Sequence, residues 1–494
     1  MHRITPALLI GLMLLAGCAV GPRYEPPDAT PPAALRTAWP AEEEGEGAEE
    51  LGSRPLAQAL DERWWAQFAD PMLVDLVERA REAGLDARLA ALRVAQSRTQ
   101  RDAVAGARVP RLAANGSYRR QRQSELGTGT RLIDAIGAPG NREAIIDVLS
   151  EPYDVYQAGF DASWELDLWG RVRRSVEAAD ASLAVSTEDL HAAQLSLVAE
   201  VTRNYLELRG VQQLLRIARE DVEASTSALE LTQARAAGGL VTQLDVVSQR
   251  ARLANARASI PRLEQTQKAL IGRIALLLGE PPGALGAQLG PAAPLPSPPV
   301  RVGIGIPAEI ARRRPDIRAS EARLRAATAQ VGVAVADLYP RITLTGGLLA
   351  EALAASDLHE WGARQWSVGP SLSLPVFDGG RRRATVELRK LQQQEAAVSY
   401  QRTVLRAWHE IDDALSAYAA EQRRNRELAQ AAEAGRDAYE LARVRYEHGL
   451  TSFLVALDAQ RTLLQAQRDY SESTTRIGTQ LVALYKALGG GWQP

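Results

Sequence analysis

Two glycine-containing turns carry side chains that could act on a passing solute, and they repeat at an interval of 210 positions, from Gly239 to Gly449. Behind each turn, apolar residues follow at spacings of four and then three, which is the seam of a coiled coil. The second turn also sets Leu454 and Asp458 one helical turn apart. If three chains met around an axis, Leu454 would form an apolar ring that gates by dewetting, and Asp458 an acidic ring that favours cations. The spacing therefore indicates a gate.

Catalysis has little support. The five histidines are scattered, and the sequence contains no glycine-rich phosphate loop, no metal-ligand spacing and no nucleophile motif. A net charge of -2 argues against nucleic acid as a partner, because phosphate binding normally requires a basic excess. We predict that the protein is not an enzyme and needs neither a cofactor nor a metal.

The N-terminal sequence predicts a lipoprotein. Arg3 precedes an apolar run of about ten residues, whereas a helix that spans a bilayer needs about twenty, so the run is typical of a signal peptide. The run ends in Leu15-Ala16-Gly17-Cys18, the lipobox pattern, which predicts that Cys18 becomes the lipidated first residue. Cys18 is the single cysteine, which excludes an intramolecular disulfide. Ala19 replaces the aspartate that would retain a lipoprotein at the inner membrane.

The positions of prolines, glycines and charged runs divide the chain into six segments. Each of two repeats is predicted to contain a helix, two barrel strands, a long helix, a tip turn and a return helix. The tip turns are expected near 237–242 and 447–452. The segments are a signal peptide (1–17), a lipidated and extended N-terminal strap (18–70), the first repeat (71–280), a proline-rich equatorial linker (281–306), the second repeat (307–488) and a C-terminal tail (489–494).

Alternation of apolar and polar residues predicts four strands. From Tyr156 to Leu166, apolar positions alternate with polar or glycine positions, as in a strand that faces lipid on one side and water on the other. Weaker or shorter alternation occurs at Leu112–Tyr118, Ile342–Leu348 and Trp366–Leu374. Four strands cannot close a barrel without leaving edge groups unpaired in lipid. Three chains would supply twelve strands, the smallest closed set wide enough for a water-filled passage, so we expect a homotrimer.

Long helices are predicted between the strands and the tips. Arg171–Ala236 and Arg381–Glu447 contain no proline and one interior glycine each. Each run of about 65 residues would be about 100 Å long. The predicted fold class is therefore mixed and mainly α. A trimeric 12-stranded transmembrane β-barrel, with four strands per chain, would be continued by a long α-helical coiled-coil barrel.

Several short motifs extend these patterns over nearly the whole chain. They are Leu15–Cys18 with Gly21–Pro26, Trp64-Trp65 with Phe68 and Asp70, Leu277–Gly279, Arg313–Arg318, Pro375–Arg381 and Leu457–Arg461. Together they resemble the outer-membrane channel proteins of tripartite efflux pumps, the TolC-like family, and within it the lipoprotein branch of the OprM and NodT type. The Arg-Arg-Pro-Asp-Ile-Arg and Asp-Gly-Gly-Arg strings are the most specific part of the resemblance.

The resemblance implies a passive exit duct in the cell outer membrane. It is anchored by lipid, spans the outer-membrane lipid and has a large periplasmic part. Its expected partners are two further copies of the chain, a periplasmic adaptor (membrane fusion) protein and an inner-membrane transporter of the resistance-nodulation-division type. Docking of these partners would open the closed tip and export small toxic compounds such as drugs.

Gate residues also follow from the resemblance. Leu454 and Asp458 match the innermost leucine and aspartate rings of the family, Asp245 matches the aspartate of the first-repeat tip, and Tyr446 matches a tyrosine of the closing network. The tip turns themselves would centre on the two repeated glycines.

Two positions depart from some members of the family. Val455 and Thr451 stand where those members have an aspartate and an arginine, so closure is expected to rest more on Leu454 packing than on a salt-bridge latch. Two alternatives remain open at this point. One is an outer-membrane channel for type I protein secretion or for metal-ion efflux, and the other is a periplasmic coiled-coil scaffold or adaptor lipoprotein.

Overall fold

A computed structural model describes residues 20–26, 54–56, 61–127, 142–299, 301–303 and 313–492. The predicted signal peptide and its lipidation site, Cys18, lie outside the described residues. The chain separates into two compact units. The unit built mainly from Arg98–Ser182 and Leu324–Glu395 is called the sheet unit below. The unit that contains Leu183–Arg323 and Ala396–Pro494 is called the helical unit.

Helices account for most of the described chain, and they pass through both units. The nine α-helices among the described residues are α1 (Pro71–Ala83), α2 (Leu85–Ala105), α3 (Arg142–Ser150), α4 (Arg171–Ala237), α5 (Gln243–Leu277), α6 (Gly286–Leu289), α7 (Pro315–Ala336), α8 (Arg381–Glu447) and α9 (Phe453–Ala487). The strands among them are β1 (Arg54–Leu56), β2 (Arg111–Gln121), β3 (Tyr153–Glu165), β4 (Arg301–Gly303), β5 (Arg341–Ala352) and β6 (Arg364–Ser373).

The sheet unit contains an antiparallel sheet in the order β2-β3-β5-β6. The register places Leu348 opposite both Phe160 and Trp366, so large apolar side chains share one face. That face carries Leu112, Ala114, Tyr118, Tyr156, Ala158, Phe160, Ala162, Trp164, Ile342, Leu344, Leu348, Ala350, Trp366, Val368 and Leu372. The four strands that the alternation predicted are present, and each is longer than the stretch that predicted it, although β3 and β6 each end one residue earlier than predicted.

The opposite face of this sheet is polar and hydrogen-bonded. Asn115 donates to Asp161, Ser117 donates to Gln157, and Gln157 donates to Glu351 on β5. These bonds give each side-chain donor an acceptor, which it would otherwise lack within the sheet. The outer strands of the order, β2 and β6, each have one edge without a strand partner among the described residues. A small parallel pairing joins β1 to β4 elsewhere.

Carboxylates cap the helix starts and corners. Asp70 accepts hydrogen bonds from the backbone amides of Met72 and Leu73 at 2.8 and 3.1 Å, and Pro71 occupies the first helical position. At the corner between β6 and α8, Asp378 accepts from the amides of Gly380 and Arg382. Gly380 has a φ of 85°, which only glycine adopts without strain.

Two features differ from the prediction. The single helix expected after Pro71 is broken at Gly84, whose backbone is extended (ψ 122°) although its amide still donates to Ala80. A Cβ at Gly84 would lie 2.5 Å from the Ala80 oxygen and 2.7 Å from Leu197, so close packing requires glycine there. The helix α3, which lies between β2 and β3, is not among the elements predicted for the first repeat.

The main core lies in the helical unit, where α1, α4, α8 and α9 pack together. Trp64 stacks on Tyr485 with ring centroids 4.8 Å apart, and both rings are buried. The Tyr205 hydroxyl donates to Asp70 at 2.7 Å, and burial raises the pKa of Tyr205 to about 12. Each fully buried leucine in such a core stabilises it by roughly 2 kcal/mol.

Arg314, the second arginine of the Arg-Arg-Pro-Asp-Ile-Arg string, joins three helices. Arg314 donates to Asp316 at 2.7 Å, to Glu410 on α8 at 2.6 Å and to the carbonyl of Ala487 on α9 at 2.8 Å. Burial opposes the charge of Arg314, but the hydrogen bonds to the two carboxylates outweigh it and raise the pKa of Arg314. The motif is therefore a packing device.

None of the helices in the described ranges combines the length and the apolarity that crossing a membrane requires.

Candidate functional site at the helix tips

Both long helices end in the same backbone turn. The amide of Leu240 donates to the carbonyl of Arg235 at 2.9 Å, and Leu450 donates to Arg445 at 2.8 Å. These bonds close the end of each helix, because they satisfy carbonyls that have no partner inside it. Gly239 has a φ of 74° and Gly449 a φ of 71°. Glycine adopts this left-handed conformation at the least cost, which explains the two repeated glycines.

The return helices begin differently in the two repeats. In the first, Asp245 accepts hydrogen bonds from the amide of Thr242 at 2.9 Å and from its hydroxyl at 2.8 Å. In the second, Val455 occupies the corresponding position, 210 residues later, and Ser452 makes no capping hydrogen bond with its side chain. Asp245 therefore caps the first tip, whereas the second tip has no carboxylate at the matching site.

Tyr446 joins the ends of the two long helices. Its ring lies 4.3 Å from the guanidinium of Arg235 on α4 and 5.5 Å from the ring of Phe453 on α9. Ala442 and Ala456 complete a small buried cluster around it. The Tyr446 hydroxyl is buried and has no hydrogen-bond partner among the described residues. Within one chain, the contacts of Tyr446 with Arg235 and Phe453 therefore depend on its ring and not on its hydroxyl.

Leu454 and Asp458 both face solvent. Leu454 is 63% exposed, and Asp458 is also exposed. Both residues line a groove of about 570 Å³ between α5 and α9. No cation lies within ion-pair distance of the Asp458 carboxylate in the described part of the chain. The groove is therefore lined by an exposed apolar side chain, Leu454, and by a carboxylate, Asp458, that has no ion pair among the described residues.

The buried carboxylate of Asp221 also lines this groove. Asp221 on α4 lies 3.6 Å from Arg252 on α5 and 3.4 Å from Arg468 on α9, and Ser225 donates to it at 3.2 Å. The network ties one long helix to both return helices. Sequence reasoning missed it, because neither Asp221 nor its partners recur at the 210-residue interval and their contact depends on packing between distant segments.

The structure places the predicted residues at three locations and brings only Leu454 and Asp458 together. Tyr446 belongs to the aromatic cluster, Leu454 and Asp458 to the groove, and Asp245 to the cap of the first return helix. Within the described ranges, no group of three or more His, Cys, Asp or Glu side chains is placed to hold a metal ion.

Comparison with known proteins gives consistent matches. The family model described as "Outer membrane efflux protein" matches residues 76–280 and 306–490. The chain is 35% identical to outer membrane protein OprJ of Pseudomonas aeruginosa over 98% of its own length and 95% of that protein. It is 35% identical to the pyoverdine export outer membrane protein OpmQ of Pseudomonas putida, over 88% of the chain and 90% of the relative. The solved structure of the outer-membrane channel OprN superposes with a TM-score of 0.85 at 37% identity, covering 97% of this chain and all of that one.

Proposed function

Because this chain belongs to the outer membrane efflux protein family, whose model matches both repeats, we propose that three copies of it form a passive exit duct across the outer membrane. The protein is an outer-membrane channel of an efflux system. Beyond this function, we propose its trimeric assembly, its gate residues and its partner proteins.

The observation that carries the trimeric barrel is the four-stranded sheet with one apolar face and two free edges. Unpaired backbone groups at β2 and β6 cannot remain exposed to hydrocarbon, so each edge needs a strand from another chain. Pairing β2 of one copy with β6 of the next closes a ring of twelve strands. The apolar face then contacts lipid, and the hydrogen-bonded polar face lines a water-filled lumen.

The tip turns at Gly239 and Gly449 are the proposed closed end of the duct. Around a threefold axis, Leu454 forms an apolar constriction and Asp458 an acidic ring. The exposure of both side chains in the single chain supports this role. Val455 and Thr451 give no salt-bridge latch, so closure depends on Leu454 packing and on the aromatic cluster at Tyr446. Asp245 contributes by fixing the first return helix.

Docking of a periplasmic adaptor and an inner-membrane transporter of the resistance-nodulation-division type opens the tip and exports small toxic compounds such as drugs. Cys18 carries the lipid that holds the mature N-terminus in the outer membrane. The segment 281–306 serves as the equatorial linker between the repeats of 71–280 and 307–488, after the strap of 18–70 and before the tail of 489–494.

The test is purification of the full-length protein from outer membranes in mild detergent. We expect a trimer that resists heating in detergent and shows β-sheet signal in addition to helix. A monomer that is soluble in water without detergent and wholly helical would overturn the proposal. Deleting the gene should also lower the drug resistance of the host, and a plasmid copy should restore it.

A further inference from the structure

Four arginines at one end of the sheet have no carboxylate partner within the described residues. Arg108 and Arg111 stand at the start of β2, and Arg381 and Arg383 follow β6 at the start of α8. All four side chains are exposed, and none lies within ion-pair distance of an acid in the described part of the chain. We call these residues the arginine set.

Other arginines at this end of the sheet are neutralised. The pairs are Arg171 with Glu165, Arg173 with Asp167, Arg174 with Glu177, Arg341 with Asp337, and Arg382 with Asp378. The paired arginines belong mostly to the inner strands and their helices, whereas the arginine set lies at the start of the edge strand β2 or just before it, and in the helix that follows the edge strand β6. The free positive charge is therefore concentrated at the edges of the sheet.

Exposed apolar side chains lie beside the arginine set in sequence. Val376 is 90% exposed and Phe377 is 91% exposed, directly before the turn into α8. Val109 and Leu112 are likewise exposed, next to Arg108 and Arg111. Apolar groups exposed next to unpaired cations are typical of a surface that meets both the acyl chains and the headgroups of a membrane.

The two edges meet if the barrel closes as proposed above, and the present inference rests on that closure. Antiparallel pairing of β2 with β6 of the next copy puts the start of one strand beside the end of the other. Each of the three seams would then combine Arg108 and Arg111 of one copy with Arg381 and Arg383 of its neighbour. The seam would hold four positive charges that no acid of the described residues balances within a single copy.

The same end of the sheet is close to the predicted lipid anchor. The amide of Val20, two residues after Cys18, donates to the carbonyl of Trp169 at 3.2 Å, and Trp169 stacks on Tyr339 with centroids 4.9 Å apart. Tryptophan and tyrosine are enriched where a membrane meets water. An acyl chain on Cys18 would start at this level, which places the arginine set among the headgroups of the periplasmic leaflet.

We propose that each seam binds one anionic phospholipid of the inner leaflet. The arginine set holds the phosphate by charge-assisted hydrogen bonds, since guanidinium groups bind phosphate in a planar, two-point geometry. The acyl chains pack against the four exposed apolar residues. The bound lipid neutralises the charges at the seam and bridges neighbouring copies.

Native mass spectrometry of the full-length protein in detergent tests the proposal, with phosphatidylglycerol or phosphatidylcholine added. We expect up to one phosphatidylglycerol per seam, and weaker binding of phosphatidylcholine. Arg381→Gln with Arg383→Gln should weaken phosphatidylglycerol binding by at least about tenfold, because each basic residue contributes about 1 kcal/mol to contact with anionic lipid. Arg381→Lys with Arg383→Lys should retain most of it.

Arg250→Gln with Arg257→Gln is the matched control, because both arginines are exposed on α5 and have no ion pair among the described residues. It should leave lipid binding unchanged. Equal binding of the two lipids, or unchanged binding in the glutamine variant, would overturn the lipid site. Displacement of the lipid by an equal concentration of inorganic phosphate would also overturn the lipid site. The trimer mass in the same spectra reports separately on the proposed function, since a persistent trimer without selective lipid binding rejects the lipid site alone.

Discussion

The guanidinium of Arg235 lies 4.3 Å from the centroid of the Tyr446 ring. The two residues end the long helices of the two repeats, so this contact holds the tips of one chain together. A cation over a tyrosine face contributes about 0.5–1 kcal/mol at an exposed site and more when it is desolvated. Because the Tyr446 hydroxyl has no partner within the described residues, the ring is the active part of the contact.

Substitution at Tyr446 separates the ring from the hydroxyl. Tyr446→Phe keeps the cation–aromatic contact and should leave single-channel conductance unchanged. Tyr446→Ala removes the ring from the cluster with Phe453, and conductance should rise. Arg235→Ala serves as the companion variant and should act in the same direction as Tyr446→Ala, with a smaller effect. An increase in Tyr446→Phe as large as in Tyr446→Ala would show that the hydroxyl binds across protomers.

Installing a carboxylate at the second tip should stabilise it. Val455→Asp places an acid where the first repeat has Asp245, three residues after Ser452. A reciprocal cap of this kind contributes about 0.5–1 kcal/mol, so amide exchange in the first turn of α9 should slow by about two- to fivefold. Val455→Asn is the matched control without the charge. Unchanged exchange in Val455→Asp would mean that Ser452 cannot adopt the capping geometry of Thr242.

Local signals predicted the long elements well. Arg171–Ala237 and Arg381–Glu447 are each one unbroken helix because no proline interrupts them, and the alternation around Phe160 and Leu348 marks two neighbouring strands. The family resemblance that the motifs indicated is confirmed by the match over both repeats. The helices and strands depend on residues close in sequence, and the family resemblance depends on short sequence motifs.

Tertiary contacts account for what the sequence did not predict. Glycine is required at position 84, where the helix is broken, because Leu197, more than a hundred residues later, leaves no room for a Cβ. Asp221 gains its partners only when α4, α5 and α9 pack together. The cap formed by Asp245 has a local signal, a threonine followed three residues later by an acid, but the family resemblance pointed to the gate for this residue.

Alkaline pH should weaken the helical unit through Tyr205. Burial and the hydrogen bond to Asp70 raise its pKa to about 12, so the folded protein holds this proton more tightly than the unfolded chain does. The stabilisation is complete below about pH 10, the ordinary pKa of tyrosine, and is lost as the pH rises towards 12. The thermal midpoint should fall over this range, and Tyr205→Phe should show a smaller fall. Parallel curves for the two proteins would exclude Tyr205 as the titrating group.

The rings of Leu454 and Asp458 are the central claim, and single-channel conductance in planar bilayers measures them most directly. The wild-type channel should conduct poorly, and Leu454→Ala with Asp458→Ala should raise its conductance several-fold, because the apolar constriction and the acidic ring are both removed. Ser248→Ala, which lines the same groove on α5, is the control and should leave conductance unchanged. Wild-type conductance in the double variant would contradict the account, since it would place the constriction elsewhere in the duct.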